Sequence, residues 1–214
     1  MERNSKSGVI GVIITIIILV LLVVFTNRNT ENISTIENFA NVVIVPIQNG
    51  LTYLKNKINN KSRLVAGYCW NWVSEGKNKS DIHDIVIPEY DFGMSWNLGN
   101  SNTWAIDKES INEIGCIHTC QGLEFDYVGV IVGDDLRYEN GHIVTDYTKR
   151  AKTDQSLKGI NKIAKERGLE EAKKIADEII KNTYKTLMTR GMKGCYIYCT
   201  DKKLQEYLKS NIIK

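Results

Sequence analysis

The sequence predicts an α/β fold with a mainly parallel sheet, preceded by one transmembrane helix, and three observations predict it. An uncharged run of 18 residues, 8–25, stands near the start of the chain. After residue 61 short apolar runs are punctuated by helical patterns, as in a parallel sheet covered on both faces. Near the other end, apolar residues recur at helical spacing and lead directly into a further apolar run.

Fifteen residues of the first segment are Val, Ile, Leu or Phe, and Thr15 is its only polar side chain. As a helix it would be roughly 27 Å long, close to the hydrocarbon thickness of a bilayer. Its insertion would gain on the order of 5 to 9 kcal/mol. Arg3 and Lys6 make a basic tip of the kind a signal peptide carries, but the apolar stretch is too long and residues 26–29, Thr-Asn-Arg-Asn, offer no small-x-small cleavage site. The expectation is an uncleaved anchor over residues 1–28 and a single-pass protein of the cell membrane. A juxtamembrane helical linker is expected over 29–61, with Ile36, Phe39, Ala40, Val43, Ile47, Leu51, Leu54 and Ile58 at helical intervals. Pro46 interrupts that pattern, which predicts two short helices or a kinked one.

Residues 62–214 form the expected α/β domain. Strands are predicted near 63–67, 84–87, 113–118, 127–132 and 195–199, the last two almost wholly apolar, as central parallel strands are. A long helix is predicted over 169–190 from Ala172, Ile175, Ala176, Ile179, Leu187 and Met188. Gly191 would stop it in the left-handed cap conformation.

Composition narrows the function classes. In 214 residues there is room for one sizeable domain and an appendage. A net charge of +3 is too small to argue for nucleic-acid binding by itself. Between Lys149 and Lys174, however, nine Lys or Arg face four Asp or Glu, a phosphate-facing patch or a solvated helical surface. Five cysteines, an odd number, suit a reducing compartment. The pairs Cys116/Cys120 and Cys195/Cys199 lie in or beside apolar runs and lack the turn-like spacing of zinc sites, so they read as buried thiols and no metal site is expected.

Two segments carry candidate chemistry. His118-Thr119-Cys120-Gln121-Gly122-Leu123-Glu124-Phe125-Asp126 lies between two predicted strands, and in doubly wound sheets ligands bind where loops leave the carboxyl ends of strands. Gly122 would let backbone approach a ligand, Thr119 and Gln121 offer hydrogen bonds, and Glu124 can accept from a sugar hydroxyl. The second segment is Thr186-Leu187-Met188-Thr189-Arg190-Gly191, with Thr183, Thr186 and Arg190 on one helical stripe. Arg190 reads either as a cation favoured at a helix C-terminus or as a planar fork aimed at a phosphoryl group.

"CIHTCQGLEFDYVGVIVG" followed by "NTYKTLMTRGMKGCYIYC" resembles the fifth and sixth motifs of superfamily 1 helicases, in order and each abutting a strand. With "RLVAGYCWNW" and Trp96-Asn97, residues 62–207 resemble the C-terminal half of the Schlafen group 3-like DNA/RNA helicase domain, which implies a RecA-like second motor domain. The resemblance implies that His118 and Thr119 lie beside the nucleic-acid strand. Nucleotide-binding roles fall to Gln121, Gly122, Glu124 on the sugar, and Arg190 as the catalytic arginine on the γ-phosphate. The family's tyrosine before the sixth motif sits one position earlier here, as Tyr184.

A complete motor also needs a glycine-rich loop ending in Gly-Lys-Ser/Thr and an acidic pair for magnesium. The only Gly-Lys, Gly76-Lys77, is followed by Asn78, and no such loop accompanies Asp134-Asp135. ATP and Mg are therefore expected only where a missing or partner first domain completes the site. Separately, the basic tip, the span and "VPIQNGLTYLKNKI" resemble the start of the cell-shape-determining protein MreC over about the first 60 residues, although the coiled coil and β-rich domain of that family do not follow.

The expectation is thus an incomplete helicase-type P-loop NTPase second domain on a membrane anchor, not catalytic alone. The alternatives are a regulatory module lending Arg190 to a partner NTPase and an MreC-like structural protein. Expected partners are DNA or RNA, a first motor domain in trans, and the membrane through residues 8–25. Arg3 and Lys6 before the span against Arg28 after it would send the domain outside, whereas its helicase motifs and free thiols point to the cytoplasm.

Overall fold

The computed structural model describes residues 42–44, 62–75, 82–97, 103–120 and 122–212. Among these residues no helix is long and apolar enough to cross a membrane. The expectation of an α/β fold led by a transmembrane helix, and with it the single-pass membrane localisation, is corrected to a mixed α/β fold. Residues 8–25, on which that expectation rested, lie outside the described residues. The longest described helix has 20 residues, Leu169–Met188, yet carries Glu170, Glu171, Lys173, Lys174, Asp177, Glu178, Lys181 and Lys185, so water must reach one side of it.

Nine strands are described: β1 (Val42–Ile44), β2 (Ser62–Ala66), β3 (Ile85–Ile87), β4 (Phe92–Trp96), β5 (Glu113–Gly115), β6 (Phe125–Val132), β7 (Leu136–Glu139), β8 (His142–Thr145) and β9 (Gly191–Cys199). Four α-helices accompany them: α1 (Ile117–Cys120), α2 (Ile160–Arg167), α3 (Leu169–Met188) and α4 (Lys202–Ile212). Seven strands form one sheet in the order β1-β9-β6-β2-β5-β4-β3, and β7 and β8 form a separate pair. Every neighbour in the large sheet runs parallel except β3, which is antiparallel to β4.

The central strands β6 and β9 are buried along most of their length, which explains their near-continuous apolar sequences. One face of the sheet is covered by α3, which buries Ala172, Ala176, Ile180, Thr183, Tyr184, Leu187 and Met188. The other face carries Leu64, Ala66, Trp96, Ile114, Ile131 and Tyr198 in one cluster with Ile85, Ile87 and Phe92. Tyr90, just past β3, meets Tyr198 of β9 edge-on with ring centroids 5.7 Å apart. Since β3 and β9 are far apart in strand order, the sheet curls until its β3 end lies over its own face.

Three local expectations change. The linker pattern around Val43 is a strand rather than a helix, because three consecutive β-branched residues, Val42-Val43-Ile44, pair in parallel with Cys195, Tyr196 and Ile197. The run predicted as one strand over 113–118 ends at Gly115 and turns into α1, so His118 and Thr119 are helical. Gly191 does not cap α3. That helix ends at Met188 with Thr189 still right-handed, and Gly191 opens β9. A Cβ there would meet the Gly194 carbonyl oxygen at 2.3 Å and Val128 Cγ1 at 2.9 Å, so the glycine is needed for space rather than for its backbone angles.

Candidate nucleotide and nucleic-acid half-sites

Parallel β6 and β9 begin at Phe125 and Gly191, so Glu124 and Arg190, the residues before them, share the amino edge of the sheet. The Phe125 amide donates to the Arg190 carbonyl at 2.8 Å, which ties the two entry points together. The Arg190 side chain is half-buried and turned back over the end of α3. Its Nε donates to the Thr186 carbonyl at 3.1 Å, Nη1 to the Leu123 carbonyl at 3.3 Å and Nη2 to Thr189 Oγ1 at 3.3 Å. The first of these goes to a helix-end carbonyl that also accepts from Thr189 Oγ1 at 2.8 Å. The helix-end reading of this arginine describes its present bonds, and the same side chain also reaches the residue next to Glu124.

Glu124 is exposed, as is Gly122, whose φ of 77° is left-handed. A Cβ on Gly122 would touch nothing, so the conformation and not crowding calls for glycine. Gln121 lies outside the described residues.

His118 and Thr119 stand at the opposite, carboxyl edge. The eight residues of β6, at about 3.3 Å each, put roughly 26 Å between the two edges. Thr119 Oγ1 donates to Asn97 Oδ1 at 3.1 Å, linking α1 to the end of β4. The His118 ring meets Tyr68 edge-on at 6.5 Å, and its Nε2 is 3.9 Å from Asp154 Oδ1. The imidazole side chain is 49% exposed, so it is open to a ligand from outside. The expected nucleotide residues and nucleic-acid residues thus form two sets on two edges.

Behind the carboxyl edge lies a network that the sequence reading did not assemble. Asp135, at the end of β6, accepts from Arg150 Nη1 at 2.9 Å and from the Tyr184 hydroxyl. Arg150 Nε donates to Asp154 Oδ2 at 2.7 Å, and its Nη2 donates to Ser156 Oγ at 3.1 Å. The Gly133 amide donates to the Tyr184 oxygen at 2.9 Å. Burial pulls the Arg150 pKa down, but the Asp135 and Asp154 carboxylates outweigh it, so the guanidinium is held charged more firmly than usual. Burial first, and then Cys69 and Asp135, push the Tyr184 hydroxyl well above its ordinary value. Asp134-Asp135 was visible as an acidic pair after a strand. Nothing local, however, marks Arg150 among nine cations as the one that goes inside.

The thiols are poorly suited to bind metal or to act as nucleophiles. Cys116, Cys120, Cys195 and Cys199 are buried and Cys69 is half-buried. Burial raises the pKa of Cys195 to about 12 and pushes those of Cys69, Cys120 and Cys199 up as well. Among the described residues no three His, Cys, Asp or Glu converge as a metal site.

Residues 47–201 match the family described as Schlafen group 3, DNA/RNA helicase domain. The match starts inside the segment expected to be a linker, and it takes in part of the stretch whose sequence resembles MreC. The resemblance to MreC finds no support in that family. An uncharacterized protein of Saccharomyces cerevisiae is 29% identical over 105 residues, covering 49% of this chain and 22% of the yeast protein. The chain therefore spans about a fifth of that relative's length. No solved structure matches it.

Proposed function

Taking as premise that the chain belongs to the Schlafen group 3 DNA/RNA helicase domain family, we propose that it acts as the second-domain half of a nucleic-acid motor. On its carboxyl edge His118 and Thr119 lie along the bound strand. On its amino edge Arg190 and Glu124 face a nucleotide whose phosphates and magnesium are held by a first motor domain, supplied from another chain or another part of the protein. Glu124 accepts from the sugar hydroxyl, and Gly122 and Gln121 contribute to nucleotide binding beside it. Arg190 leaves its helix-capping bonds to spread its charge over the γ-phosphoryl group.

The observation that carries this reading is the 3.3 Å hydrogen bond from Arg190 to Leu123, which joins the two motif segments at one edge across 67 residues of sequence. An arginine serving only as a helix cap has no need of that second segment. The three partners are uncharged, and a phosphate would offer this guanidinium charge-assisted bonds in their place.

The test is ATP hydrolysis in a mixture of this chain with the phosphate-loop domain of a family member, in the presence of single-stranded nucleic acid. The chain alone should be inactive and the mixture active. Arg190→Ala should reduce the gain by about 10³-fold or more, with Arg190→Lys failing to restore it. Undiminished hydrolysis with Arg190→Ala would remove the arginine from the reaction.

A further inference from the structure

Where the curled β3 end meets the carboxyl ends of β2, β6 and β9 there is an open cleft of about 320 Å³. We propose that it receives one unpaired base of the bound strand, stacked on Trp70 with the neighbouring phosphate on Lys149. This rests on the reading of the chain as a nucleic-acid-binding domain and extends it beyond His118 and Thr119.

The cleft has the chemistry a nucleobase needs. Trp70 is half-exposed and offers aromatic surface, Tyr198 lines the cleft but is largely buried, and Val86 is 48% exposed. Trp70 is held in place before any ligand arrives. Its carbonyl accepts from Trp96 Nε1 at 3.3 Å, and the edge of its ring lies beside Gly133, where a Cβ would meet Cys69 first and Trp70 Cζ3 at 3.3 Å. A ring so fixed loses little freedom when a base stacks on it. The polar groups are acceptors with one cation. Asp134 accepts from Thr200 Oγ1 at 2.6 Å and Glu89 from Lys202 Nζ at 2.7 Å, each with a second carboxylate oxygen. Carboxylates accept from the exocyclic amino groups of adenine, cytosine and guanine and from the ring N–H of guanine, uracil and thymine, so bases presenting an amino group are favoured rather than required. Lys149 forms no salt bridge among the described residues. At about 300 Å³ the space is at the small end of ligand sites, room for one nucleoside and not a run of them.

The same two segments that build the cleft also reach α1. Tyr68, which meets His118, is two residues before Trp70. Lys149 adjoins Arg150, whose partner Asp154 is 3.9 Å from His118 Nε2. On this proposal a strand lying along His118 and Thr119 continues toward the cleft through these two segments.

The experiment is fluorescence anisotropy of the full chain with labelled single strands of about 12 nucleotides, DNA and RNA, in which each base in turn is replaced by an abasic site. One position should weaken wild-type binding about tenfold when its base is removed, and Trp70→Ala should cost a similar factor. The two losses should not add, whereas Trp70→Phe should stay near wild type. A misfolded variant cannot mimic this, because the abasic effect is read in the wild-type chain and the non-additivity at one position only. An abasic scan with no sensitive position, or Trp70→Ala binding as tightly as wild type, would overturn the cleft. Should Thr119→Val weaken binding while Trp70→Ala does not, the parent reading stands and the cleft falls. No binding of any strand by the wild type sinks both.

Discussion

Arg150 and Arg190 stand at opposite edges of one sheet and are held in opposite ways. Arg150 is 1% exposed in its side chain and fixed by two buried carboxylates at 2.9 and 2.7 Å. Arg190 is half-buried and held by two carbonyls and a hydroxyl at 3.1 to 3.3 Å. The first has every charge answered inside the protein, so moving it would strand two carboxylates away from water. The second has no carboxylate on its guanidinium among these bonds, only neutral partners. The carboxyl edge is thus built around a buried charge network, and the amino edge carries a half-buried charge bonded to neutral groups.

The sharpest way to break that contrast is to remove Arg150. Arg150→Met leaves Asp135 and Asp154 buried without their cation and should cost about 3 to 5 kcal/mol of stability, read as a lowered urea midpoint. A loss below about 1 kcal/mol would mean that water reaches the network and that it is not a rigid support.

A second test uses pH. Half-buried Cys69 and buried Cys120, Cys195, Cys199 and Tyr184 all have raised pKa values, so their neutral forms are favoured in the fold. Their contribution is fully present below the unfolded values, about 8.5 for Cys and 10 for Tyr, and is lost as pH climbs through the window above them. For Cys195 that window closes at about 12. Stability should be level up to about pH 8.5 and then decline by up to about 1.4 kcal/mol per pH unit for each group titrating. Cys195→Ala should make the decline shallower. An unchanged slope would show that this thiol is not protected by burial.

The smallest effect is expected at the amino edge. Arg190→Ala should change the urea midpoint by no more than the roughly 0.3 to 1 kcal/mol of a cation at a helix end. A loss as large as that of Arg150→Met would make Arg190 a structural group and erase the difference between the edges.

Legibility followed the range of each interaction. β6 and β9 were readable because burial on both faces makes their sequences continuously apolar, and α3 because one covered face imposes a helical period. The β7–β8 hairpin was missed although its signal was present: Asn140-Gly141, with φ of 50° and 84°, joins two four-residue strands by a two-residue turn. β4 was missed too. The Glu124 and Arg190 segments were identified as a pair by resemblance, but periodicity alone said nothing of their meeting at one edge. Tyr184, one position away from the family's tyrosine, had no assignable role until its hydroxyl was found between Gly133 and Asp135.

By itself the sequence determined the principal parallel strands and the long amphipathic helix, because periodicity and backbone preference act over a few neighbouring residues. Only the tertiary structure decided which arginine is buried, that α1 replaces the end of a strand, and that β3 folds over to face Tyr198. Those outcomes depend on strand order and curl, which bring together residues dozens of positions apart and set, group by group, whether a charge meets water or a partner.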